Sequence, residues 1–336
     1  MKIAVFGPAR RVGLVVDDSV VDINAAYARL LADTTSHTRP QAQADAAVPA
    51  DLNAFIAEGR AALDGAQTAV VHLADLGPNA EAIDGGPLRF ALSDITLHAP
   101  IEGASRIFAA LANFADHMQA AAANASAEDS QATLARLLAG GPKYFAKDHR
   151  SASADGDLLY YPSRTERLDY EAEVAVVIGR RGKNIPVEEA TSYIYGYTLL
   201  NDWSIRDNVQ LGPNFLYWKN FDGAATLGPW IVVDEIDDPQ NIPLESRVNG
   251  EVRQSGNTSS MVHDFSSLIS YLSTDQTIWP GDLIASGTPR GTAVDSSRQN
   301  ADGSFPAELF VGPGDVVEIS SAPIGHLRNE IAPTKE

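Results

Sequence analysis

The sequence predicts a mainly β protein of the α+β class, with a small α+β region ahead of a larger, β-rich core. Apolar runs of strand length recur along the chain, most clearly at residues 174–178 and 194–200. Turn residues separate such runs elsewhere, as at residues 17–19 and 249–250. We expect strands at these positions.

The first 99 residues are predicted to form the small α+β domain, ahead of a larger domain at residues 100–336. Gly7 and Gly13 near the first strand match neither a dinucleotide-binding loop nor a phosphate-binding loop. We therefore expect no nucleotide chemistry in this domain. Its predicted strands lie at residues 2–6, 12–16 and 20–23, and its helical patterns at residues 25–31 and 52–63, joined by the polar segment 34–49.

Composition and charge exclude several classes of function. With 336 residues, 44% of them hydrophobic, the chain can bury a large core. A net charge of -19 argues against nucleic acid or an anionic membrane as partner, since both require basic patches. The absence of cysteine excludes disulfides and thiolate chemistry. Since no signal peptide or membrane span is recognisable, we expect a cytoplasmic protein.

Three acidic residues sit at the ends of two predicted strands. Glu171 and Glu173 are separated by one residue, so in an extended strand their carboxylates share a face. Asp202 follows the next apolar run. Together they make a plausible site for a hard divalent cation, which prefers oxygen ligands. The alternative is ordinary: a solvated strand face and a turn residue.

The stretch that contains these acids resembles the fumarylacetoacetate hydrolase superfamily. Members carry a strand of the form D-x-E-x-E-[LV], followed by G-Y-x-x-x-N-D-x-S-x-R-D, and this chain matches both at residues 169–174 and 196–207. The segment 280–291 resembles the family's P-G-D-x-I-x-x-G-T-P-x-G, and the resemblance extends over about residues 100–329. It implies a mixed β-roll core and a homodimer, with Mg²⁺ or Mn²⁺ bound by Glu171, Glu173 and Asp202.

The resemblance also implies a catalytic histidine. His117, with Phe114 as a substrate-binding residue, matches the family's G-x-N-Y-x-x-H in part, and there the histidine activates water. Many members place a Glu three residues later to orient it, whereas this chain has Ala120. Residues 118–141 resemble a lid, whose Glu128 or Asp129 supplies the missing carboxylate or is only a solvated helix cap.

Further residues are matched to family positions with substrate-binding or catalytic roles. These are Lys147, Arg206 and Thr288 as substrate-binding residues, and Gln210 and Lys219 as catalytic residues. Lys147 has an equal alternative as an exposed strand residue. Because the acids and one divalent cation leave a net negative charge, an anionic substrate requires such cations close by.

The implied function is hydrolysis of a C–C bond in a 2,4-diketo acid of the acylpyruvate, fumarylpyruvate or sugar-derived type. The metal would stabilise an enolate while His117 activates water. Decarboxylation, isomerisation, hydration and dehydration use the same enolate, so all remain alternatives. A protein that binds metal and keto acid without catalysis is a third possibility. Any of these partners would be a small 2-oxo or 2,4-dioxo acid.

Overall fold

The computed structural model describes residues 1–36, 38–101, 103, 105–124, 135, 140–207 and 214–335. Its strands are β1 Lys2–Phe6, β2 Arg11–Val16, β3 Ser19–Asp22, β4 Arg89–Ala91, β5 Leu97–His98, β6 Ile107–Ala110, β7 Tyr144–Lys147, β8 Ala152–Ser153, β9 Leu159–Tyr160, β10 Leu168–Asp169, β11 Ala172–Ile178, β12 Ile194–Asp202, β13 Ser204–Ile205, β14 Ala225–Val232, β15 Pro243–Val248, β16 Glu251–Asn257, β17 Leu283–Ala285, β18 Val316–Ser321 and β19 Gly325–Ala332. Its α-helices are α1 Ile23–Thr34, α2 Pro40–Ala47, α3 Leu52–Glu58, α4 Arg60–Leu76, α5 Ala115–Asn124, α6 Phe215–Trp218, α7 Phe265–Leu272 and α8 Ala293–Ser296.

One large sheet contains strands from both sides of the predicted domain boundary. Its order is β4-β3-β2-β1-β14-β12-β11-β17-β6-β7, with β5 also paired to β1 and β8 to β14. β1 pairs antiparallel with β14, so that Lys2 faces Val232. The division at residues 99 and 100 stays a prediction, but the sheet runs through it.

A second sheet stands apart from the first and has the order β16-β15-β18-β19-β9. β15 and β16 form a hairpin whose ends, Val248 and Glu251, are paired across the predicted turn. Residues of this sheet, among them Ile319 and Leu327, share a buried cluster with α7 and with strand β11. The mainly β, α+β class is therefore confirmed.

The N-terminal helices cover one face of the large sheet. Asp22 ends β3 and accepts a hydrogen bond from the backbone N–H of Ala25 (3.1 Å), which caps α1. The helix predicted at residues 52–63 is divided into α3 and α4 at Gly59, whose φ of 60° lies in the left-handed region. The polar segment predicted at residues 34–49 contains the additional helix α2.

Strand β11 lies at the centre of the molecule, and all seven of its residues are buried. Ala175 and Val177 pack in the cluster beneath the N-terminal helices, while Val174 and Val176 pack in the cluster with α7. Burial on both faces explains the continuous apolar run that the sequence shows here.

Among the described residues, no helix combines the length and apolar character needed to traverse a bilayer.

Candidate active site

Three carboxylates meet where β11 begins and β12 ends. Since these strands are antiparallel, with Glu173 opposite Leu200, the start of one lies beside the end of the other. Glu171, Glu173 and Asp202 are 6%, 1% and 0% exposed. One carboxylate oxygen from each lies within 4.8 Å of the other two. The structure thus brings together the three residues predicted to bind metal.

Backbone contacts hold this strand mouth in register. The N–H of Glu171 donates to the side-chain oxygen of Asn201 (3.0 Å), and the N–H of Asp202 donates to the carbonyl of Glu171 (2.9 Å). The N–H of Gly287, just after β17, donates to Glu173 Oε2 (3.1 Å). Each carboxylate is therefore positioned by the sheet rather than by a mobile loop.

Three cationic side chains surround the carboxylates. Lys219 Nζ donates to Glu171 Oε2 (2.6 Å) and to Asp202 Oδ2 (2.8 Å). Lys147 Nζ is bonded to the other oxygen of Asp202 and to the carbonyl of Lys219 (2.7 Å). Arg206 pairs with Glu171. The predicted residues Lys147, Arg206 and Lys219 thus all lie at the triad, and Lys147 is a buried residue rather than an exposed one.

The pKa values of Glu171 and Glu173 are shifted in opposite directions. Burial disfavours the charge on both Glu171 and Glu173. For Glu171 the charges of Lys219 and Arg206 outweigh burial and lower its pKa. For Glu173, burial and the charges of Asp202 and Glu171 raise its pKa well above the ordinary value. Glu173 is therefore the member of the triad that most lacks a compensating positive charge.

The pKa values of Lys147 and Lys219 are also shifted in opposite directions. Burial lowers the pKa of Lys147, and the nearby Lys219 charge adds to that effect. Burial also acts against the charged form of Lys219, but Asp202 and Glu171 outweigh it and raise the pKa of this lysine. Lys219 is consequently the ammonium group held firmly between two triad carboxylates.

The donor set suits a hard divalent cation such as Mg²⁺ or Mn²⁺. Three buried carboxylates with adjacent oxygens are ligands that such ions prefer, and among the described residues the group that could hold a metal ion consists of these carboxylates, without histidine or cysteine. A cation would also supply the positive charge that Glu173 lacks. Among the described residues, four carboxylates at this site lie against three cationic side chains, which gives a formal charge of -1 when all are ionised. A bound divalent ion would change this local charge to +1. The carboxylates are Asp169, Glu171, Glu173 and Asp202, and the cations are Lys147, Arg206 and Lys219.

His117 projects from α5 beside this cluster. Its Nδ1 lies 2.8 Å from Asp295 Oδ2, and the same carboxylate oxygen accepts the N–H of Gly291 (3.0 Å). Burial acts against the imidazolium, but the hydrogen bond to Asp295 and the charges of Asp295 and Glu171 outweigh it and raise the pKa of His117. An Nδ1–H that donates to Asp295 leaves Nε2 free to accept a proton.

A cavity of about 80 Å³ lies between His117 and two of the acids, Glu171 and Glu173. Thr288 lines it, and its hydroxyl donates to the carbonyl of Ala172 (2.9 Å) while accepting from Gln254 Nε2 (2.7 Å). One water needs about 10–15 Å³ on this scale, so the cavity suits a ligand of a few heavy atoms. The side chains that line it include Leu111, His117, Phe145, Glu171, Glu173, Arg206, Phe215, Lys219 and Thr288.

Two of the predicted site residues, Phe114 and Gln210, are seen neither at the cavity nor at the carboxylate cluster, whereas Lys147 and Asp202 belong to the cluster without lining the cavity. Phe114 is 0% exposed and packs in the core cluster with Phe265, away from the cavity lining. Gln210 lies outside the described residues, as do Glu128 and Asp129 and most of the predicted lid. Their proposed roles stay predictions.

Sequence reasoning missed Asp295 as the partner of His117. The two residues are 178 positions apart, and the local pattern around Asp295 indicates only a helix start, where Thr292 caps α8. It also missed Asp169, which links α8 to Arg206 of the site. Asp169 accepts the N–H of Ala293 at α8 (2.7 Å) and pairs with Arg206 Nε (3.0 Å).

Comparison with known families agrees with this geometry. Residues 106–332 match the family described as fumarylacetoacetate (FAA) hydrolase, C-terminal. The match covers well over half of the chain, and it includes the three acids, His117 and Asp295. The chain therefore belongs to the fumarylacetoacetate hydrolase family.

Relatives within the family differ in the reaction they catalyse. The chain is 32% identical to the oxaloacetate tautomerase YisK of Bacillus subtilis, over 95% of both chains. It is 30% identical to the mitochondrial oxaloacetate tautomerase fahd2 of Xenopus laevis, over 96% of this chain and 86% of that one. It is 32% identical to maleylpyruvate hydrolase of Aquipseudomonas alcaligenes, over 68% of this chain and 78% of that one.

Solved structures show the same fold. A structure of a putative HpcE protein from Mycobacterium smegmatis covers 100% of both chains with a TM-score of 0.72 at 25% identity. Maleylpyruvate hydrolase from Sphingobium sp. SYK-6, solved with manganese and pyruvate, has a TM-score of 0.69 at 22% identity and covers 100% of both chains.

Proposed function

We propose that the protein is a divalent-metal-dependent enzyme that interconverts the enol and keto forms of oxaloacetate or a similar small 2-oxo dicarboxylic acid. The observation that supports this most directly is the pairing of His117 with Asp295 across a small cavity from three clustered carboxylates. A base and a metal site facing one small space are what enolate chemistry requires.

Glu171, Glu173 and Asp202 would hold Mg²⁺ or Mn²⁺. When bound, the ion supplies Lewis-acid stabilisation of the negative charge that an enolate carries on oxygen. Lys219 and Arg206 line the cavity and offer charges to an anionic substrate. They also hold Glu171 in its ionised form, since their charges lower its pKa.

His117 would move the proton. In its neutral form, with Nδ1–H donated to Asp295, Nε2 accepts a proton from the substrate at one atom and returns it at the other. In the enol-to-keto direction the proton leaves the enol oxygen and is delivered to C3. Asp295 stabilises the imidazolium that forms between these two steps.

The relatives support oxaloacetate as the first candidate substrate. Both oxaloacetate tautomerases match nearly the whole chain, including the N-terminal region, whereas the maleylpyruvate hydrolase match covers 68% of this chain. A cavity of about 80 Å³ also suits a compact acid.

Hydrolysis of a 2,4-diketo acid is the second candidate. It is favoured by the same His117–Asp295 pair, because an imidazole oriented by a carboxylate is also suited to deprotonate water. Asp295 thus offers an orienting carboxylate to His117, the role that a Glu plays in many members at the position of Ala120. Release of pyruvate together with a carboxylic acid would distinguish this reaction from tautomerisation.

The test follows the ultraviolet absorbance of enol oxaloacetate with Mn²⁺-loaded protein, while a set of acylpyruvates is assayed for C–C cleavage in parallel. We expect the enol to decay faster with wild-type protein and at the background rate with His117→Ala. Cleavage of an acylpyruvate without tautomerisation would replace the first candidate by the second. If neither activity is found while oxalate still raises the melting temperature in the presence of Mn²⁺, the protein is a binder and both proposals fail.

A further inference from the structure

Gln254 is a buried polar residue on β16, which forms one edge of the second sheet. All seven residues of this strand are described, and among them only Gln254 is buried, with 0% of its surface exposed. Glutamine is seldom fully buried, and a buried amide is stable only when its donor and acceptor groups are hydrogen-bonded. The burial of Gln254 therefore has to be explained by what its amide contacts.

The amide of Gln254 bonds to two segments of the candidate active site. Its Oε1 accepts the N–H of Ala172 (3.0 Å), the residue between the two glutamates of the triad. Its Nε2 donates to the Thr288 hydroxyl (2.7 Å) and to the carbonyl of Pro289 (2.7 Å). Because the N–H of Ala172 can only donate and the carbonyl of Pro289 can only accept, the two ends of the amide cannot be exchanged.

The Thr288 hydroxyl completes a closed set of bonds around Ala172. It accepts from Gln254 and donates its proton to the carbonyl of Ala172 (2.9 Å), so one pair of side chains binds both backbone groups of Ala172. In the pairing of β11 with β17, Ala175 stands opposite Ala285, and the same register would set Ala172 opposite Thr288. Gln254 and Thr288 thus continue the pairing of β11 beyond the end of β17, between the two glutamates of the triad.

The backbone of β16 also packs tightly against residues 288–291. A Cβ atom placed on Gly291 would lie 2.0 Å from the carbonyl oxygen of Arg253 in β16. This leaves no room for a side chain, so the two segments are in direct backbone contact. The N–H of Gly291 in turn donates to Asp295 (3.0 Å), the partner of His117. Through these contacts β16 supports both the acidic triad and the histidine pair.

We propose that Gln254 is a positioning residue for the divalent-cation site and for the adjoining wall of the cavity. It acts through Ala172, which lies between the two glutamates, and through Thr288, which lines the cavity. Residues that support metal ligands commonly change metal affinity by about tenfold or more when they are replaced. The inference rests on the metal site of the proposed function, and it holds whether the bound acid is tautomerised or cleaved.

The test is calorimetric titration of Mn²⁺ into the chelator-stripped full chain, for the wild type and for Gln254→Met. The variant keeps the length of the side chain but removes its three hydrogen bonds. We expect Mn²⁺ binding to be weakened about tenfold in protein whose circular dichroism shows it to be folded. A residue with only a structural role would lower the melting temperature and leave the Mn²⁺ affinity of the folded protein unchanged.

The matched control is Ser246→Ala. Ser246 stands opposite Gln254 on β15 and is also 0% exposed. In the described part of the chain its hydroxyl has no hydrogen-bond partner, so the substitution changes the same buried region without removing a bond to the active site. The Mn²⁺ affinity of this control should equal that of the wild type.

A double-mutant cycle with Thr288→Val tests whether Gln254 acts through the Thr288 hydroxyl. Because the two side chains bind one backbone unit and each other, we expect each single variant to weaken Mn²⁺ binding. The double variant should lose little more than the more affected single variant. If Gln254→Met does not fold, Thr288→Val decides by itself, since an unchanged Mn²⁺ affinity in that variant would overturn the proposal.

The same measurements separate this inference from the proposed reaction. Unchanged Mn²⁺ affinity in Gln254→Met, an equal loss in Ser246→Ala, or strictly additive effects in the cycle would overturn the role of Gln254. A wild type that binds no Mn²⁺ would overturn it together with the proposed function. A wild type that shows the coupled losses, yet does not convert enol oxaloacetate, would support the role of Gln254 and contradict the proposed reaction alone.

Discussion

Replacing Asp295 by Asn tests how His117 is tuned. The substitution keeps the size and a hydrogen-bond acceptor at 2.8 Å from Nδ1, but it removes the negative charge. A hydrogen bond to a charged group contributes about 1.5–3 kcal/mol and one between neutral groups about 0.5–1.5 kcal/mol. The difference is roughly 1–1.5 kcal/mol, or about one pKa unit. We therefore expect the pKa of His117 to fall by about one unit in Asp295→Asn.

The pH–rate profile of enol tautomerisation measures this shift. A general base must be neutral, so activity rises as pH passes the pKa of His117. In the variant this limb should move to lower pH, while the plateau rate drops about tenfold because the imidazolium is less stabilised in the transition state. The matched control is Asp116→Asn, since that neighbouring carboxylate accepts the backbone N–H of His117 (2.8 Å) and not its ring.

The same interaction has a consequence for stability. Because the folded state raises the pKa of His117, the contribution to the free energy of unfolding is fully present below the pKa of an unfolded histidine and is lost as pH rises through the folded value. Asp295→Asn should thus destabilise the protein more in mildly acidic than in alkaline solution. A limb that stays at the wild-type pH, or a plateau unchanged within twofold, would refute the assignment of Asp295 as the partner that tunes His117.

Three further outcomes are expected. Lys147→Met removes one partner of a fully buried ion pair with Asp202. The free energy of unfolding of the metal-free protein, measured in urea, should therefore fall by about 3–5 kcal/mol, and Mn²⁺ should restore part of this loss. The control Lys183→Met, at an exposed lysine, should change the free energy of unfolding little. Equal stability of the two variants would contradict this. Phe265→Ala should cost about 3–5 kcal/mol, because this side chain is 1% exposed in the core, whereas Tyr271→Ala on the same helix, at 52% exposure, should cost much less. Mn²⁺ at about a hundred times its Kd should stabilise the protein by about 2.7 kcal/mol and raise its melting temperature by several degrees, and a flat melt would argue against a metal site.

The sequence predicts the centre of the fold well because local pattern and tertiary environment agree there. The run at β11 is continuously apolar since both faces of the strand are buried, and the alternation of Glu171 and Glu173 follows from strand geometry. Turn chemistry likewise predicts the hairpin at Asn249 and Gly250. These features depend on a few neighbouring residues, so the sequence alone carries them.

Contacts between distant segments could not be predicted in this way. Asp295 is a helix-start residue by its local pattern, and only the packing of α8 against α5 makes it the partner of His117. The pairing of β1 with β14 depends on sheet order, which no local pattern specifies. Gly59 breaks a helical pattern that periodicity alone extends from residue 52 to 63, because its positive φ ends one helix and begins the next.

We propose that Glu171, Glu173 and Asp202 bind a divalent cation and, through it, a 2-oxo acid. The most direct test is a calorimetric titration of Mn²⁺, and then of oxalate, into chelator-stripped protein. It is carried out with the wild type and with Glu173→Gln. We expect one Mn²⁺ per chain in the wild type, greatly weakened binding in the variant, and oxalate binding only after Mn²⁺. Unchanged Mn²⁺ binding in Glu173→Gln, or oxalate binding of equal strength without metal, would contradict it.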